Sequence, residues 1–83
     1  MTVLETAIKK SAALRGNYKF KEAIDVIDGA LAGASPEKDD LWAIANLEGL
    51  KAAEECGDAA TAKRFAVAIR QTDPDLPTIS KYF

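Results

Sequence analysis

Apolar and small side chains recur along this chain at helical spacing, in runs that begin at a capping residue or end at a glycine. Leu4, Ala7, Ile8, Ser11 and Leu14 form the first run. Positions three and four apart share a face, so the pattern predicts a helix near residues 2–15. Thr2 with Glu5 three residues on is a capping-box pair, in which each side chain satisfies the other's backbone N–H. Gly16-Asn17 supplies the stop, glycine being the residue that tolerates the left-handed position past a helix end. Phe20, Ala23, Ile24, Ile27, Ala30 and Leu31 predict a second helix near 19–32, closed by Gly33.

Ser35-Pro36-Glu37 reads as a third start. Serine caps, proline loses nothing at the first helical position, and acid sits near the positive helix end. This helix is expected to run from 36 to 56, with Gly57 as its stop, and it carries two stripes. Leu41, Ile44 and Leu47 form one. Trp42, Ala45, Gly49, Ala52 and Cys56 form the other, which implies a helix packed between neighbours, with the small residues admitting a close approach. Asp58 caps a fourth helix near 58–72, carrying Ala59, Ala62, Phe65, Ala66 and Ile69. Short connections force sequential helices to pack antiparallel. The expected fold is therefore all-α: one domain over 1–83, made of a hairpin at 2–33, a hairpin at 35–73 and a tail at 74–83. The tail places Leu76, Ile79, Tyr82 and Phe83 on roughly one side, enough to cap the exposed end of the hairpins.

The two halves echo each other. Gly16-Asn17 and Gly57-Asp58 each sit between two helices, Ala23 and Ala30 answer to Ala62 and Ile69, and Pro36 and Pro74 follow the second helices. In these features, and in the phrases Lys21-Glu22-Ala23-Ile24 and Thr72-Asp73-Pro74, the chain resembles the tetratricopeptide repeat, in two degenerate copies. The glycines are 41 residues apart, against about 34 in that family. The family's Leu-Gly pair stands reversed here as Gly49-Leu50. The resemblance implies a superhelical stack of hairpins that binds extended peptides or helices in a groove lined by the first helix of each hairpin. On this chain that groove would include Lys10, Glu48, Lys51 and Glu55.

Composition removes most alternatives. Only three valines and six aromatics accompany a high share of alanine and leucine, which favours helix over sheet. One cysteine, Cys56, excludes an intramolecular disulfide, and no apolar run is long enough for a membrane span. The start of the chain lacks the apolar stretch of a signal peptide, so the expected address is cytoplasmic. Histidine is absent, and with it the commonest general base and metal ligand. No phosphate-cradling glycine loop is present, and the acids lack metal-loop spacing. The expectation is a chain that is not an enzyme and needs no cofactor or metal. Glu48, Lys51 and Glu55 are expected to form pairs along their own helix.

Net charge is −2 but uneven: +4 over residues 1–21, −8 over 22–62 and +2 over 63–83. The ends are expected to attract the middle within one fold, with a basic patch for an acidic partner as the other reading. Nucleic acid is disfavoured, because the chain is acidic and few aromatics lie beside its cations. The leading expectation is a non-catalytic module for protein–protein interaction, an adaptor for a partner of unknown identity. One alternative is a small acidic inhibitor or immunity-type protein that blocks a basic enzyme surface through residues 37–58. The other is a self-assembling structural unit, a homodimer joined through Trp42 and Gly49 if the tail leaves that end open.

Overall fold

The first helix, α1 (Val3–Gly16), starts where local chemistry says it should. The Thr2 hydroxyl oxygen accepts from the Glu5 N–H at 3.1 Å, and the Glu5 carboxylate accepts from the Thr2 N–H at 3.4 Å, so the capping box is closed. The computed structural model describes residues 2–83. It continues through α2 (Phe20–Leu31), α3 (Trp42–Glu55), α4 (Ala59–Arg70) and a single turn, α5 (Pro77–Ser80), with no strand among the described residues. The chain is all-α, two helix hairpins and a C-terminal segment. Asp58 caps α4 as its side chain suggests, accepting from the Thr61 N–H at 3.1 Å and the Thr61 hydroxyl at 2.6 Å.

Two helix boundaries differ from the sequence reading. The first is the start of α3, six residues later than Pro36. Residues 35–39 do form one turn: the Asp39 N–H reaches the Ser35 carbonyl, and the Asp39 carboxylate accepts from the Ser35 N–H, both at 3.0 Å. The turn does not propagate. Residues 37–40 are Glu-Lys-Asp-Asp, with nothing apolar to bury, and a helical nucleus without tertiary support is unfavourable. Regular helix resumes at Trp42, the first side chain here that is buried.

The second is the turn between α1 and α2. Gly16 is still helical, and the left-handed residue is Tyr18, with φ 61°. The Lys19 N–H bonds to the Leu14 carbonyl (2.9 Å) and the Tyr18 N–H to the Arg15 carbonyl (3.0 Å), which is a Schellman motif. The turn from α3 to α4 repeats it, with the Asp58 N–H on Ala53 (2.9 Å), the Gly57 N–H on Glu54 (3.1 Å), and Gly57 at φ 76°. Tyr18, and not Gly16, is thus the counterpart of Gly57. Helix boundaries at 3, 16, 20 and 31 are matched at 42, 55, 59 and 70, a constant offset of 39 residues in place of the 41 read from the glycines.

Packing follows from the small residues. α3 touches α1, α2 and α4, while α2 and α4 make no backbone contact. Of the two stripes expected on α3, the one through Trp42, Ala45, Gly49 and Ala52 is buried, joined by Asn46, Leu50 and Ala53. The other is not: Ile44 is 49% exposed and Leu47 is half-buried. Cys56, expected to end the buried stripe, is exposed. The main core gathers Ala23, Ile27, Leu50, Phe65, Ala66 and Ile69, with Ile79 from α5 closing it. Leu4, Trp42 and Ala45 form a second cluster where α1 meets the start of α3.

Ile79 is fully buried, Leu76 and Tyr82 are half-buried, and α5 packs on α4. The tail therefore covers the end of the second hairpin. Trp42 and Gly49, named as the dimer contact should that end stay open, are both taken up inside the chain. Trp42 packs against Leu4, and Gly49 lies under the Phe65 ring.

Candidate functional site

Because α3 is enclosed on three sides, it leaves one narrow strip outward: Ile44, Glu48, Lys51 and Glu55, three or four residues apart. α1 lies beside it and contributes Arg15. Arg15 joins the two helices. Its guanidinium bonds to the Glu48 carboxylate through Nη1, and to that of Glu55 through Nε at 2.8 Å. Glu48 and Glu55 are therefore brought together by a cation on another helix, not by the pairing with Lys51 expected along their own. Lys51 is exposed between them.

Lys10 stands apart from this group. It precedes Arg15 by five residues, which places it about 140° around α1 at 100° per residue. By the 39-residue offset its counterpart on α3 is the buried Gly49, whereas Lys51 corresponds to Ala12. Of the four expected binding residues, the fold gathers Glu48, Lys51 and Glu55 and leaves Lys10, though exposed, on another side. Sequence reasoning missed Arg15 and Ile44. The signal for Arg15 was the +4 balance of residues 1–21 against the acidic middle, but which cation reaches which acid is a matter of tertiary packing.

The remaining ion pairs follow the same rule. Arg64 of α4 grips Asp28 of α2 with two bonds, at 2.9 and 3.0 Å, and Lys81 of the tail meets Glu54 at 2.7 Å. Among the described residues, every ion pair links a basic end to the acidic middle. The Tyr82 hydroxyl also donates to Glu54. The Lys81 bond, then the Tyr82 bond, hold the Glu54 carboxyl below the usual carboxylate range. Burial, reinforced by the Glu54 carboxylate, pushes the Tyr82 phenol up to about 12. Asp58 is also lowered, by the hydroxyl and then the N–H of Thr61.

Most openings in the surface are at turns, and one lies between α2 and the start of α4. One of about 330 Å³ lies between the α1–α2 turn and the end of α3, lined by Tyr18, Lys19, Phe20, Lys21, Glu22 and Cys56. Another of about 340 Å³ lies where Thr2 and Leu4 face Lys38–Leu41. Among the described residues, no group of three or more His, Cys, Asp or Glu side chains could hold a metal ion. Among the described residues, no helix is long and apolar enough to cross a membrane. No family model, no curated protein and no solved structure matches this chain.

Proposed function

We propose that this chain is a non-catalytic adaptor, acting in the cytoplasm, that holds a peptide or helix of a partner protein on the strip shared by α1 and α3. The observation that carries this reading is the packing of the two first helices side by side, with Ile44 half exposed on the same strip of α3 as Glu48, Lys51 and Glu55. An apolar centre bordered by charges is the composition of a protein-binding surface. The constant 39-residue offset between hairpins, and the seating of α3 against both helices of the first, support a tetratricopeptide-like stack. The reading as an acidic inhibitor has less support, because Glu48, Glu54 and Glu55 are already bonded to the chain's own cations.

The test is affinity capture with the full chain and with Ile44→Arg, whose melting temperature should match the parent because Ile44 packs little. The variant should lose the partners that the parent retains. Identical partners on both, at equal recovery, would sink the proposal.

A further inference from the structure

Tyr18 occupies a backbone conformation that its counterpart, Gly57, adopts freely, and a tyrosine there costs free energy that glycine would not. The fold returns little for it. The side chain is 82% exposed, and its aromatic contact is an edge-to-face one with Phe20 at 6.1 Å between centroids. Edge-to-face is one of the arrangements that aromatic pairs prefer. Lys19 and Lys21 flank Phe20, both are exposed, and neither belongs to an ion pair among the described residues. The opening between this turn and Cys56, about 330 Å³, has room for one side chain.

We propose that the turn Asn17–Glu22 is a docking site for a short acidic segment of a partner protein, which inserts an apolar side chain against Tyr18 and Phe20 and sets its carboxylates on Lys19 and Lys21. Tyrosine is enriched among the residues that dominate binding energy, and charge complementarity across an interface selects the partner. The neighbouring acids decide between acidic partners. Glu22 lines the same opening, and Asp58 lies close enough to feel the charge of Lys21. They would repel a continuous phosphate backbone, whereas a peptide with a few carboxylates can place them around these positions. This site is separate from the α1–α3 strip, so either can fail without the other.

The experiment is an amide chemical-shift titration of the full chain with three probes. They are a synthetic peptide with a central leucine between glutamates, the same peptide with glutamines, and oligothymidylate. The glutamate peptide should move the amides of Asn17–Glu22 and Cys56, and the glutamine peptide should bind at least about fivefold more weakly. Tyr18→Gly and Tyr18→Asn should each melt higher than the parent and bind the glutamate peptide at least about fivefold more weakly. The proposal is overturned if the shifts map elsewhere or are absent. It is also overturned if oligothymidylate binds the same amides as well as the peptide, if both variants bind like the parent, or if neither melts higher.

Discussion

Gly49 and Gly29 are both helical glycines, and replacing each by alanine should have opposite effects. In a helix interior, alanine is favoured over glycine by about 1 kcal/mol, the backbone entropy that glycine loses on folding. At Gly29 on α2 nothing lies within 4 Å of where the new methyl would stand, so most of that gain should appear: Gly29→Ala stabilises by about 0.5–1 kcal/mol. At Gly49 on α3 the methyl would stand within 2.7 Å of Cζ, Cε1 and Cε2 of Phe65. Phe65 is itself buried in the main core, and its ring can retreat only by displacing neighbours. Overpacking of this kind costs about 1–3 kcal/mol, which exceeds the helix gain, so Gly49→Ala should destabilise by about 1 kcal/mol. Urea denaturation at unchanged m-value measures both, and the gap between the two variants should be about 2 kcal/mol. Phe65→Leu, made in the Gly49→Ala background, should cost less than in the parent, because the shorter side chain makes room for the methyl. Equal stabilisation by both alanines would refute the claim that Gly49 exists to admit Phe65.

Ile79 is the one fully buried side chain of the tail, so Ile79→Ala should cost about 2 kcal/mol in urea denaturation, and removal of residues 75–83, which also takes Leu76, Tyr82 and the bonds to Glu54, at least as much. A truncated chain as stable as the parent would mean the tail is not a cap. The tail should also loosen in alkali. Tyr82 ordinarily titrates near 10 and is raised to about 12 in the fold, so its contribution is complete below pH 10 and is lost as pH rises from about 10 to 12. Tyr82→Phe should flatten stability against pH across that window, and an unchanged slope would count against the Tyr82–Glu54 contact. On the acid side the sign reverses: Glu54 is lowered, so its contribution holds above the ordinary carboxylate range and is lost as pH falls through the folded value. Glu54→Gln should remove that part of the acid-induced loss of stability.

The features that were legible in the sequence are those set by neighbours along the chain. Thr2–Glu5 and Asp58–Thr61 close caps whose donors and acceptors lie within three residues, so no partner helix is needed to form them. Apolar spacing was enough to locate four helices and to orient the tail, because residues at helical spacing share a face whichever neighbour covers it. On the candidate site, the sequence yielded Glu48, Lys51 and Glu55 as one group, since residues three and four apart must share a face. It misplaced Lys10, because its place across from another helix depends on the rotation of α1 against α3.

What the tertiary structure decided is where a local signal is used and where it is overruled. Ser35-Pro36 can open a helix, but a turn persists only if the next one buries something, and burial begins at Trp42. Gly16 can take the left-handed position, yet the preference of glycine for it is about 1 kcal/mol. The packing of Phe20–Leu31 onto α1 involves several buried side chains and outweighs it, so the turn falls two residues later, on Tyr18. The charge imbalance along the chain implied that ends and middle attract. That Arg15 holds Glu48 and Glu55, while Lys51 between them remains exposed, follows only once α1 and α3 lie side by side.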